Sequence, residues 1–413
     1  MSLLEIDEPA QINEDIFSFR YKHQASSGGK LYILSLAISE IKISAESVKT
    51  DKIPSKKLLD EINFHHSNAK RPNLNLARSL GLIKVSEILK QSKKAKYAIN
   101  GGFYLDFGSF EEKIFHPNFP QAFYGDPVGW LRTNGVDISL PWLNRPILKI
   151  LPTGNIKIEY GNLIDKCLII KSNIFHIEDI NILKKSTYIT DLSSLKKYKI
   201  HYLEKYIFAQ IINNRVGEIQ RGVVDSMPEN GFILAIREEQ IKSALKMNDK
   251  VLLLEQDNSS YCITMAPTLL KNKKISNNKI WGVEDFTNEN HPRTLTKSMY
   301  AYRAARTGIF FDNSKQRIFF AVSENNKSKL GEGLTLYEFT KLVCNSAKKL
   351  GFSLESGFYI DGGSSSIMCM KDKKKVITIN KPSGISNPNV YGAKRNEEVR
   401  TGIVILIEKN EKD

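Results

Sequence analysis

Cysteine is scarce. Cys167, Cys262, Cys344 and Cys369 are the only four in 413 residues, and none lies at a CxxC or Cys/His zinc-ligand spacing. Neither a disulfide framework nor a structural zinc site is expected, and free, mostly buried thiols are. Long apolar runs are also missing: residues 31–38 and 402–407 are strand-sized, well short of the roughly 20 that a membrane-spanning helix needs. Glu5, Asp7 and Glu8 stand where a signal peptide places basic and then apolar residues, so the expected location is cytoplasmic, with export by another route left open. No Pro/Gly/Ser linker and no fixed-period repeat occurs, which excludes collagen-like, solenoid and propeller chains.

Acidic residues are in the minority, 45 against 60 basic, for a net charge of +15. That charge attracts polyanions such as nucleic acid, anionic glycans or phosphorylated substrates. None of the sequence signatures of nucleic-acid binding is present, so the reading is mainly solvated surface charge, with nucleic acid a third choice that the charge leaves open. With 41% hydrophobic residues the chain can bury a large core, which excludes wholesale disorder.

Short runs rich in Ile, Val, Phe and Tyr recur at 31–38, 96–100, 167–170, 206–212, 232–236, 251–254, 318–322, 358–361, 376–379 and 402–407. Bounded by Gly, Asn, Asp and Lys, they read as strands. Two segments read as helices. Residues 84–95 place Val85, Ile88 and Leu89 at helical spacing. In 335–350, Thr335 and Glu338 form a capping box, Leu336, Phe339, Val343, Ala347 and Leu350 make one apolar stripe, and Gly351 stops the helix. Regular βα alternation is absent, so the expected fold is α+β, a mixed β-sheet core with a few flanking helices. The expected organisation is an N-terminal extension over 1–30, one domain over 31–408 and a C-terminal tail over 409–413. Ser26-Ser27-Gly28-Gly29 reads as a hairpin turn before Leu31.

One local design occurs twice. Tyr97-Ala98-Ile99 runs into Asn100-Gly101-Gly102, and Phe358-Tyr359-Ile360 runs into Asp361-Gly362-Gly363-Ser364-Ser365. A double glycine permits sharp turns and close approach of backbone to ligand, and it aims the strand-end carboxamide or carboxylate into a notch. Each segment taken alone also fits a hairpin turn.

In order, Asn100-Gly101-Gly102-Phe103, Arg306-Thr307-Gly308, Gly333-Leu334-Thr335-Leu336 with its helix, and Asp361-Gly362-Gly363-Ser364-Ser365 resemble the phosphodiester glycosidase family. The resemblance spans about 31 to 407 and is strongest from Arg306 to Ile367. Where the family commonly has Asp-Gly-Arg, this chain has Glu324-Asn325-Asn326, keeping the carboxylate and losing the arginine. His291-Pro292-Arg293-Thr294 is a second arginine motif, and Arg306 is preferred because the strand and helix after it match in order and spacing.

The resemblance implies a hydrolase that cleaves the glycosidic bond of a sugar-1-phosphodiester or a related nucleotide or phosphate glycoside. A phosphate leaving group needs less acid assistance than a sugar alkoxide, so an anion clamp matters more. Arg306 suits that role, since its guanidinium binds phosphate oxygens bidentately. Asp361 suits a general base or a stabiliser of an oxocarbenium-like centre. Asn100 and Ser364 would orient hydroxyl or phosphate oxygens, and the N–H groups of Gly101, Gly102, Gly362 and Gly363 would meet developing negative charge. Thr307, Glu324 and Ser365 complete the expected substrate-binding set. Other readings stand beside these: Arg306 as an ion-pair partner of Asp361, Glu324 as a solvated loop carboxylate, Tyr97 and Tyr359 as core or rim, and Arg303 as a phosphate contact. No cofactor or metal is expected, and the expected partner is a small-molecule or glycan phosphodiester. The alternative is a non-catalytic glycan- or nucleotide-binding protein on the same scaffold. Three residues, Asn100, Arg306 and Asp361, should converge within about 12 Å, the length of an ordinary ligand site.

Overall fold

The computed structural model describes residues 4–23, 26–47, 83–102, 129–139, 145–161, 167–177, 179–180, 187–190, 205–212, 214–222, 231–253, 258–276, 303–325, 333–381 and 401–410. The elements that frame the site are β1 (Ile16–His23), β2 (Ser26–Ala37), β3 (Ile41–Ser47), α1 (Val85–Gln91), β4 (Tyr97–Asn100) and β5 (Thr268–Lys271). They continue with β6 (Thr307–Asp312), β7 (Arg317–Asn325), α2 (Leu336–Lys349), β8 (Leu354–Ile360), β9 (Met368–Asp372), β10 (Lys375–Thr378) and β11 (Ile403–Lys409).

A nine-stranded sheet forms the middle of the molecule, in the order Leu4–Ile6, β1, β2, β7, β6, β8, β5, Lys274–Ile275, with Ala10–Gln11 paired to β1. Every pairing in it is antiparallel. Strand alternation gives it two apolar faces. Phe310, Phe319, Ala321 and Tyr359 point to one face, where α2 and the strands Cys167–Ile170, Tyr206–Ile212 and Gly231–Arg237 pack. Ile309, Phe320, Val322 and Ile360 point to the other, against Ile99, Ile405 and Met368 of a five-stranded sheet ordered β10-β9-β4-β11-β3. The far side of that second sheet is closed by α1 through Val85 and Leu89.

The expected α+β architecture is therefore corrected: the fold is mostly β. Among the described residues there are only two α-helices, and both faces of the central sheet are covered chiefly by other sheets. Both helices lie where their patterns put them, and α2 carries the full capping box between Thr335 and Glu338. The turn expected at Ser26–Gly29 is also displaced, because those residues already belong to β2. Strand β4, which leads to Asn100, is held from both sides. Tyr97 donates from its hydroxyl to Asp15 Oδ2 (2.6 Å), and Lys409 Nζ of β11 bonds both Asp15 oxygens (2.8 and 2.9 Å). All four cysteines are free; Cys262 and Cys369 are buried.

Candidate active site

Both double-glycine motifs lie at one edge of the stacked sheets, and neither is a hairpin turn. After Asp361 the chain makes a short 3-10 turn, Gly363–Ser365, and crosses from the central sheet to β9 of the second sheet. Asn100 ends β4, directly alongside that crossing.

Asn100 is fully buried, and its carboxamide ties three segments together. Nδ2 donates to the Asp361 carbonyl (2.6 Å), while Oδ1 accepts from Thr307 Oγ1 (3.1 Å) and Ile367 N (3.0 Å). The backbones interlock too, Asp361 N donating to Gly101 O at 3.1 Å. Asn100, Thr307 and Asp361 are thus brought into direct contact.

Arg306 begins the same edge of β6 but points to the opposite face from Thr307, as strand alternation requires. It is 2% exposed. Its Nε donates to Leu334 O (2.8 Å), just before α2, and Nη1 donates to Tyr359 Oη (3.0 Å), with the guanidinium 5.4 Å from the Tyr359 ring centre. Burial pushes the Tyr359 phenol above its ordinary range, nearby Asp361 adds to that, and Arg306 opposes it, so Tyr359 stays protonated at neutral pH. Gly362 is required here because an added Cβ would lie 1.9 Å from Tyr359 Oη. On the adjoining strand, Gly363 N donates to Ala305 O (2.8 Å), which sets Arg306 beside the Asp361 turn.

The glycine N–H groups do a different job from the one expected. Gly101 N donates to Ile403 O (2.7 Å), Gly362 N to Asp361 Oδ1 (2.9 Å) and Gly363 N to Ala305 O, so all three brace the turns and none is left for a ligand. For Gly102 the close neighbour is the Thr264 carbonyl, 2.7 Å from where a Cβ would sit. Ser365 is buried. The Ser364 side chain lies outside the described residues, as do Asn326 and His291.

Glu324 is not a solvated loop carboxylate. It sits on β7, 7% exposed, and Oε2 accepts from Lys381 N at 2.5 Å. Burial raises its pKa, against the lowering effects of that bond, of Lys30 and of the Tyr32 hydroxyl. Strand alternation puts it on the face of Val322 and Thr307, away from the Arg306 guanidinium. Arg303 is committed to a bidentate pair with Glu338 (2.7 and 2.8 Å) and to Gly333 O. Tyr97 and Tyr359 are both buried. Tyr359 is the functional neighbour that sequence reasoning left among core residues. Its place two residues before Asp361, on the same face of β8 as the incoming Arg306, was the available signal.

A cavity of about 950 Å³ lies elsewhere, at the far end of the central sheet, and none of these residues lines it. Asn100, Arg306, Thr307 and Asp361, which the two strand-end motifs bring together, are therefore taken as the candidate active site.

Residues 208–406 match the model of the phosphodiester glycosidase family, so the resemblance carried by the Arg306 and Asp361 motifs is borne out. No curated protein matches the chain. Among solved structures, a hypothetical protein from Synechocystis is similar, with 14% identity, a TM-score of 0.58, and coverage of 98% of this chain. The chain spans 64% of that protein's length. A protein from Burkholderia pseudomallei named "Putative exported protein" is similar at 14% identity and TM-score 0.57, over 94% of this chain and 76% of that one. At these identities the likeness is one of fold. Among the described residues no helix is long and apolar enough to cross a membrane.

Proposed function

We propose that this phosphodiester glycosidase family chain is a hydrolase that cleaves the bond between the anomeric carbon and the phosphate of a sugar-1-phosphodiester. The observation that carries the reading is the buried Arg306 guanidinium, oriented by Leu334 O and Tyr359 Oη beside the turn that presents Asp361.

In this reading Arg306 binds the phosphodiester. A guanidinium keeps its charge when buried and presents a planar fork that matches two phosphate oxygens. As the glycosidic bond lengthens, negative charge grows on the leaving phosphate, and a fixed cation stabilises it more than it stabilises the ground state. Asp361 acts at the sugar, taking a proton from the attacking water or facing the positive charge that develops at the anomeric carbon. Its Oδ1 is aimed by the Gly362 N–H. Asn100 and Thr307 are positioning residues, since the bonds of Asn100 fix the Asp361 main chain. Glu324 holds Lys381 and the segment that follows β10.

The test is release of reducing sugar from a panel of sugar-1-phosphodiesters, including nucleotide sugars. Turnover by the native chain that is lost in Asp361→Asn supports the reading. Binding without turnover would favour a non-catalytic glycan- or nucleotide-binding protein.

A further inference from the structure

The strands Asn173–His176, Cys167–Ile170 and Val251–Leu253 form a three-stranded antiparallel sheet in that order. Alternation along each strand sorts their residues onto two faces. Leu168, Ile170, Phe175 and Val251 are buried in the core that the central sheet shares. The opposite face points outward. On it Ile174, Ile169 and Leu252 lie side by side across the strands, with Ile174 60% and Leu252 36% exposed. In the next row Cys167 stands directly opposite His176, and its Sγ lies 3.2 Å from His176 Nδ1. The thiol is partly exposed and the imidazole exposed.

The other three cysteines have different surroundings. Cys262 and Cys369 are buried. Cys344 packs against the core from α2, where burial pushes its thiol up to about 11, so little of it is ionised at neutral pH.

We propose that Cys167 and His176 are a nucleophile–base pair and that Cys167 is a modification site, taking one half of a low-molecular-weight disulfide of the glutathione type. The thiolate is the attacking species, and an imidazole within hydrogen-bond reach generates it by accepting the proton. Nδ1 takes the Sγ–H proton, and Sγ attacks one sulfur of the disulfide. That S–S bond breaks as the new one forms, and the other half leaves as a thiolate and recovers the proton from the imidazole. One disulfide is exchanged for another, so no further oxidant is consumed. The exposure of Ile174 and Leu252 leaves the face that carries the pair open to solvent. The site stands independently of the hydrolytic reading.

A timed reaction of the full chain with glutathione disulfide, quenched in acid and mapped by peptide mass spectrometry, tests it. The mixed disulfide is expected to form at Cys167 about tenfold faster, or more, than at Cys262, Cys344 or Cys369. His176→Ala and His176→Gln, with melting temperatures unchanged, should each slow the reaction at Cys167 by about fivefold or more and leave that at Cys344 as it was. Modification of Cys167 no faster than that of Cys344 would overturn the proposal, as would a native rate at Cys167 in either folded variant.

Discussion

Asn100 and Asp361 lie 261 positions apart in the chain and are joined by a 2.6 Å hydrogen bond from the Asn100 carboxamide to the Asp361 carbonyl. The bond fastens the end of a strand in one sheet to the end of a strand in another, and it fixes the backbone from which the Asp361 carboxylate projects. The same carboxamide holds Thr307 and Ile367, so one buried side chain sets the relative position of three site segments.

Replacing that side chain tests its structural weight. Asn100→Ala leaves the Asp361 carbonyl, the Thr307 hydroxyl and the Ile367 N–H without their partner in a buried place. Each orphaned group costs about 1–3 kcal/mol, and the expected total is about 3 kcal/mol, read by denaturant unfolding. A loss under about 1 kcal/mol would show that the tether is dispensable.

Arg306 is held by two bonds that a lysine cannot both make. Arg306→Lys keeps the charge, loses the fork and is expected to reduce turnover of sugar phosphodiesters more than that of uncharged aryl glycosides. Tyr359→Phe removes only the hydroxyl that accepts from Nη1. It should raise KM for phosphodiesters several-fold with a smaller change in kcat, since Arg306 would bind with a less ordered guanidinium. Equal effects of both substitutions on charged and uncharged substrates would contradict the anion-clamp role.

Glu324 gives a pH dependence whose sign is fixed. Its folded-state pKa is raised from the ordinary 4.5 mainly by burial, so the native state holds that proton more tightly than the unfolded chain. Its contribution to stability is fully present below about pH 4.5 and is lost as pH rises through the elevated folded value. Glu324→Gln should flatten this part of the stability profile. Thermal unfolding between pH 4 and 8 checks it, and an unchanged slope would show that the carboxyl titrates in the fold as it does in the unfolded chain.

Local features were legible where a residue's neighbours in sequence determine them. The ten apolar runs all fall on strands, and the Thr335–Glu338 capping box is present atom for atom. Strands such as Ile41–Ser47 and Arg145–Ile150 were missed because their apolar residues are interrupted by Lys, Ser or Pro on the second face or at the strand start. The fold class was misread for a related reason. A sheet covered by another sheet and a sheet covered by helices have the same alternation along each strand, so the cover has to be counted from the elements themselves. The two strand-end motifs were legible as residue types and order, because a strand end followed by two glycines is a local pattern. The roles of the glycines were not, since only the three-dimensional arrangement brings Ile403 O to Gly101 and Tyr359 Oη against Gly362. Glu324 read as a loop residue from its charged surroundings, and β7 extends far enough to bury it.

The most direct test of the account is single-turnover kinetics of Asp361→Asn on a sugar-1-phosphodiester, measured beside the variant's thermal unfolding. Asparagine preserves the shape and the backbone bonds to Asn100 and Gly101 while removing the base. The account predicts a fall in turnover of about 10²-fold or more, the scale of a positioned acid–base group, with a melting temperature close to that of the native chain. Native turnover in the variant, or a loss of activity that follows a proportionate loss of melting temperature, would contradict it.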